Sequence, residues 1–128
     1  MGKTTTKNKI SANNRINHAI IGLGSMGQGH VKYVLDDPQG ELVAVCDVMG
    51  QRVKDTLAAV GPSCRGYRDF REMLDSESVD VVHVVTPPHW HALQNIYALN
   101  AGCDVWAEKP MTRTIAEGAQ IAAAVQRN

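Results

Sequence analysis

Four short stretches hold the residue types that chemistry uses. In "GLGSMG", Gly22, Gly24 and Gly27 stand in GxGxxG spacing, the pattern in which a glycine-rich turn presents backbone N–H groups to a pyrophosphate. Gly22 would permit the tight turn, Gly24 the approach of phosphate to backbone, and Gly27 the close packing of helix on strand. Ser25 and Met26 would then open a helix whose unpaired N–H groups and dipole favour an anion. Asp47 follows 20 residues after Gly27. A carboxylate there would accept hydrogen bonds from adenosine ribose hydroxyls and repel a 2′-phosphate, which favours NAD over NADP. Arg52 pulls the other way, since an arginine near this position can receive a 2′-phosphate or cover the adenine. A structural glycine turn with a capping aspartate is the plain alternative.

The other two stretches are "TPPHWHA" (Thr86 to Ala92) and "AEKP" (Ala107 to Pro110). Pro87 and Pro88 would turn the chain along a bound cofactor, and His89 would cap or start the next helix, with one of these side chains facing nicotinamide or substrate. His89 and His91 invite a metal, but an i, i+2 pair on a helix diverges, and no Cys or carboxylate stands beside them at ligand spacing; no metal site is expected. Trp90 reads equally as a pocket wall or a packing residue, and His83 as a buried, hydrogen-bonded core histidine. Glu108 and Lys109 stand at the rim of a strand. A lysine beside a nicotinamide can hydrogen-bond a substrate hydroxyl or relay a proton, whereas an exposed Glu-Lys pair before a helix is the bland reading. Pro110 fixes the turn, and its preceding bond can be cis.

These residues need a frame, and the hydropathy pattern supplies one. Strands are expected at His18–Leu23, Glu41–Asp47, Cys64–Tyr67, Val79–Val85 and Cys103–Ala107, the fourth apolar on both faces like a central parallel strand. Helices are expected over Ser25–Leu35, Gln51–Val60 with Val53, Leu57 and Val60 on one face, Asp69–Ser76 capped by Asp69, and His89–Asn100 stopped at Ala101-Gly102. Thr112 or Thr114 would open a last helix with Ile115, Ala119, Ala122 and Val125 on its apolar face. Alternating strands and helices imply an α/β fold with a doubly wound parallel sheet of about five strands. All four chemical stretches then fall at the carboxyl ends of strands, where ligands bind in such sheets.

The remaining composition narrows the function classes. The 128 residues are one domain's worth of chain, 44% hydrophobic and 20% charged, with 13 acidic and 13 basic side chains. That balance gives no footprint for nucleic acid or an anionic membrane, and no apolar run approaches the ~18 residues of a membrane span. Cys46, Cys64 and Cys103 form no CxxC pair and read as buried, reduced thiols. Residues 1–16 read as a disordered lead-in, in which "GKTT" (Gly2 to Thr5) lacks the upstream glycine and strand of a phosphate loop. Residues 17–128 read as a dinucleotide-binding domain that stops before the sixth strand of the doubly wound pattern. Without an export signal in view the cytoplasm is the default, the periplasm the alternative if a signal was removed.

The order "IIGLGSMGQGH", "VCDV", "TPPHWHA", "AEKPMT" resembles the N-terminal domain of the Gfo/Idh/MocA oxidoreductases, especially bacterial members with a Thr-Pro-x-His-Trp-His segment. The resemblance covers residue 15 or so to the end. It implies an NAD(P)-dependent dehydrogenase acting on a sugar, cyclitol or glycoside hydroxyl. It further implies pyrophosphate at Gly22, Gly24 and Gly27, ribose at Asp47, and a cofactor wall at Thr86, Pro87 and His89. Glu108 would lie on the nicotinamide side, and Lys109 would be catalytic or substrate-positioning. Family members carry a second domain that binds substrate and mediates oligomerisation; its absence here implies a cofactor half without complete catalysis. A glycosidase-type member that oxidises its substrate transiently, and a non-catalytic NAD-binding module, are the alternatives.

Overall fold

The computed structural model describes residues 15–128; most of the expected lead-in, including Gly2–Thr5, lies outside the described residues. Five strands and five helices alternate: β1 (Ile16–Ile21), α1 (Ser25–Asp36), β2 (Gly40–Cys46), α2 (Gly50–Val60), β3 (Arg65–Tyr67), α3 (Phe70–Ser76), β4 (Val81–Val84), α4 (Pro88–Asn100), β5 (Asp104–Ala107) and α5 (Ile115–Arg127). All pairings are parallel, in the order β3-β2-β1-β4-β5. The chain thus winds outward from β1 in both directions, and the reversal opens a crevice above β1 and β4. The domain starts a little earlier than the lead-in reading placed it. Ile16 already donates its N–H to Gln39 O at 2.7 Å, and Arg15 pairs with Glu41.

Strand parity divides the core in two. Ala19, Ile21, Ala44, Cys46, Val82 and Val84 point to one face, where they pack with Phe70 and Met73 of α3 and Ala98 of α4. Ile20, Leu42 and Val45 point to the other, against Val31 and Val34 of α1 and Val53 of α2. His83 lies on this second face, 1% exposed and bonded at both ring nitrogens by other histidines. The three cysteines are buried and free.

Local signals fix the helix ends. The Asp69 carboxylate accepts the Arg71 N–H and caps α3, and Thr114 with Glu117 forms a complete capping box on α5. The expected apolar face of α5 is a correction. Ile115 is 94% exposed, Ala119, Ala122 and Val125 are exposed too, and the helix buries Ile121 and Ala124 instead. Both stripes obey helical spacing; what selects one is the docking of α5 on α4. Among the described residues no helix is long and apolar enough to cross a membrane.

Candidate functional site

The loops after β1, β2, β3 and β4 enclose a cleft of about 680 Å³ at the carboxyl edge of the sheet. Nine of the sequence-predicted residues line it: Gly22, Gly24, Ser25, Met26, Asp47, Arg52, Thr86, Pro87 and His89. Gly27 is buried beneath the loop, and Glu108 and Lys109 stand outside the lining, at the end of β5.

The three motif glycines are needed for different reasons. Gly22 has φ +101°, and a Cβ there would lie 2.6 Å from Val85 O. A Cβ on Gly27 would lie 1.9 Å from Gly22 O. Gly24 differs: its φ of −73° suits any residue, and a Cβ would meet only Arg52 Nη1, at 3.8 Å. Protein packing therefore does not demand a glycine at position 24; the space it leaves belongs to the cleft. No side chain caps α1 and no acid occupies its first turn, so its leading N–H groups and positive dipole end face that space.

Asp47 closes the other side. It is 8% exposed, with Oδ2 accepting the Leu23 N–H at 2.8 Å and Oδ1 the Met49 N–H at 2.8 Å. The carboxylate is thus pinned between the glycine loop and the β2–α2 loop, with lone pairs left over for a ligand. Arg52 Nη1 lies 3.7 Å from Asp47 Oδ2 and is half exposed.

The His-Trp-His segment splits as the i, i+2 geometry requires. His89 and Trp90 line the cleft and are exposed, which settles Trp90 as a wall, while His91 turns inward. His91 Nε2 lies 2.5 Å from Thr86 O and Nδ1 lies 2.6 Å from Pro110 O, tying the β4–α4 loop to the turn after β5. The Glu108 N–H donates to Val84 O at 3.0 Å, extending the β4–β5 ladder. Lys109 is exposed, and its bond to Pro110 is cis. Among the described residues no group of His, Cys, Asp or Glu is arranged to hold a metal.

Sequence reasoning missed the wall contributed after β3. Arg68 donates through Nε and Nη2 to Val48 O, at 3.2 and 3.0 Å, and Phe70 and Arg71 complete that side. The carboxyl-end rule already pointed to this loop, but β3 was too short to draw attention. Gln94, buried in α4, was also missed; its Oε1 accepts from the Thr86 hydroxyl.

A model of an oxidoreductase family with an NAD-binding Rossmann fold, Gfo/Idh/MocA, matches residues 16–128. The chain belongs to this family and comprises its NAD-binding domain. Over 110 residues it is 31% identical to an inositol 2-dehydrogenase of Salmonella typhimurium, covering 85% of this chain and 33% of that protein. It is 34% identical over 106 residues to a glycosyl hydrolase family 109 protein of Porphyromonas gingivalis, covering 77% of this chain and 23% of the relative. The scyllo-inositol dehydrogenase of Lactobacillus casei, crystallised with NAD(H) and scyllo-inositol, superposes with a TM-score of 0.82 at 26% identity, over 88% of this chain and 33% of that one. The chain thus spans about a third of the length of the dehydrogenases it matches.

Proposed function

We propose that this chain is the cofactor half of an NAD-dependent oxidoreductase that moves hydride between nicotinamide and a hydroxyl-bearing carbon of a sugar, cyclitol or glycoside. The observation that carries the reading is the gap over Gly24. It lies between an uncapped helix N-terminus and a pinned carboxylate, the two features that a pyrophosphate and a ribose respectively recognise. On this reading the loop Gly22–Gly27, with the N–H groups of Ser25 and Met26, holds the pyrophosphate. Asp47 accepts from the ribose hydroxyls, and its buried negative charge disfavours a 2′-phosphate. Arg52 covers the adenine side. Thr86, Pro87 and His89 form the wall along which the cofactor extends toward β5.

The bound cofactor supplies the hydride acceptor or donor at its nicotinamide ring. Lys109 hydrogen-bonds the substrate oxygen and assists its proton, with Glu108 beside it on the nicotinamide side. The substrate class follows the dehydrogenase relatives reported above, whose names specify inositol, and the full-length protein is expected to assemble as a homo-oligomer. The test is NAD and NADP titration of the chain, followed by hydride-transfer assays of the full-length protein on a cyclitol and sugar panel. NAD binding that is indifferent to Asp47→Ala would sink the ribose assignment, and unchanged turnover in Lys109→Ala would remove the lysine from the mechanism.

The Porphyromonas gingivalis relative favours a second reading. A member of this kind would oxidise a glycoside transiently, eliminate the aglycone, add water across the resulting double bond and return the hydride, so that the net reaction is hydrolysis. Release of aglycone without net NADH accumulation distinguishes it.

A further inference from the structure

Three histidines to which no role has been given meet in a line on the α1 face of the sheet. His18 of β1 places Nδ1 2.8 Å from His83 Nε2, and His83 Nδ1 lies 2.9 Å from His30 Nδ1 on α1. His30 Nε2 then faces Glu108 Oε1 at 3.8 Å, longer than a hydrogen bond but within reach of the carboxylate's charge. His83 and His30 are buried. Trp106 stacks on the His83 ring and meets His30 edge-on, with centroids 5.4 Å away in both cases. The nitrogens address one another in sequence and share no common centre, so the arrangement is a string, unlike a metal site.

The string has a direction. A neutral imidazole offers one N–H and one lone pair. The Glu108 carboxylate only accepts, which favours the proton on His30 Nε2 and leaves His30 Nδ1 as an acceptor. His83 must then donate from Nδ1 and accept at Nε2, and His18 must donate from Nδ1. The far end of the string is therefore the His18 Nε2 lone pair, on a half-buried ring. Burial, and the neighbouring positive charges His18 and His30 would carry, push the pKa of His83 down to about 3. Burial also lowers that of His18, against the opposing pull of Asp37 and Asp80. Besides Glu108, Tyr33 packs edge-on against His30.

We propose that His18, His83 and His30 form a directional proton string that links the start of β1 to Glu108, making them positioning residues for the Glu108–Lys109 segment. A proton arriving at His18 Nε2 releases the Nδ1 proton to His83 Nε2. The His83 Nδ1 proton passes to His30 Nδ1, and the His30 Nε2 proton passes to the Glu108 carboxylate once that 3.8 Å gap closes to hydrogen-bond distance. One proton enters and one is delivered. All three rings end neutral with their tautomers inverted, and the reverse hops return the proton to solvent. Because no ring rests as a cation, the weak basicity of His83 does not block the path. The use of this path in catalysis rests on the oxidoreductase reading; the string itself does not.

Long-range ¹H–¹⁵N spectra of the histidine-labelled chain near neutral pH test it. The expected pattern is protonation at Nδ1 of His18 and His83 and at Nε2 of His30. In Glu108→Gln the end group can both donate and accept, so the polarity becomes degenerate and the His18 nitrogen shifts move although His18 does not touch Glu108. In His83→Phe, which keeps a stacking ring under Trp106, the Glu108→Gln change should no longer reach His18. A His30 protonated at Nδ1 in the parent chain, or His18 shifts unmoved by Glu108→Gln, would overturn the proposal. The parent spectrum alone decides the polarity if His83→Phe fails to fold. NAD titration of the same samples separates the two readings: the predicted tautomers with no NAD binding would sink the cofactor reading and leave the string standing.

Discussion

A Cβ placed on Gly27 would lie 1.9 Å from the carbonyl oxygen of Gly22; the last glycine of the motif is fixed by the first. Gly27→Ala should therefore destabilise the chain by about 1–3 kcal/mol or more through overpacking, read as a lower urea midpoint at unchanged slope. Gly24→Val should behave in the opposite way. Its midpoint should move by less than about 1 kcal/mol, while NAD affinity falls at least ~10-fold, equivalent to about 1.4 kcal/mol. Equal NAD affinity in Gly24→Val and the parent would remove the phosphate assignment from this loop.

Asp47 carries both a structural and a recognition burden, and the two can be separated. Asp47→Ala leaves the N–H groups of Leu23 and Met49 without their acceptors and should cost about 1.5–3 kcal/mol, the range for hydrogen bonds to charged groups. Asp47→Asn keeps one oxygen but loses the charge. It should retain more stability than the alanine variant and narrow the preference for NAD over NADP, measured as the ratio of their dissociation constants. A ratio identical to that of the parent would show that the charge does not select the cofactor.

His83 makes stability depend on pH. Its pKa is near the ordinary 6.5 when unfolded and about 3 in the native state, so the unfolded chain binds more protons across that interval. Its contribution to stability is complete above pH 6.5 and is lost as pH falls toward 3, at up to about 1.4 kcal/mol per pH unit. His83→Phe should flatten this part of a urea-midpoint profile recorded from neutral pH downward. An equally steep profile in the variant would assign the acid sensitivity elsewhere.

His91 joins Thr86 O to Pro110 O. A neutral imidazole has one N–H, so His91→Ala takes the donor from one of the two carbonyls, at about 1–3 kcal/mol if that carbonyl stays buried. It should also loosen the turn after β5, seen as faster amide exchange at Met111 and Arg113. Exchange at both sites as slow as in the parent would mean that the turn holds itself.

Burial pushes the thiols of Cys46 and Cys64 up to about 12, and thiolate is the reactive form. A small aromatic disulfide reagent should label neither residue in the native chain and both on unfolding, so labelling should track the denaturation curve. Labelling of Cys46 under native conditions would show that β2 opens locally.

The backbone order was legible because strand parity and glycine punctuation are local signals: all five strands and five helices fall within a few residues of their expected limits. Nine residues of the cleft lining were legible for the same reason, since a GxGxxG turn and loops at strand ends need only sequence neighbours. The face of α5 was not. Ile115, Ala119, Ala122 and Val125 form as regular a stripe as the one around Ile121 and Ala124, and only the docking of α5 on α4 chooses. The histidine string was hidden for a deeper reason. His18, His30 and His83 acquire their relation through the β1–β4 register, in which Ile20 pairs with His83, and through the seating of α1, neither of which a linear spacing encodes. The Arg68–Arg71 wall shows the intermediate case, a correct rule left unapplied to a three-residue strand.

The middle strand of the five described is the first of them to be made. β1 bonds to β2 on one side and to β4 on the other. As the chain leaves the ribosome, at roughly 5–20 residues per second, β2 can close on β1 and β3 on β2 at once, while the other edge of β1 waits for β4. During that interval Ala19, Ile20 and Ile21 present an apolar, half-paired strand, the kind of edge that recruits wrong partners. Gly22 and Asp47 belong to the half made first, but the cleft between them takes shape only when Val85 and Thr86 arrive to pack against the Gly22 turn.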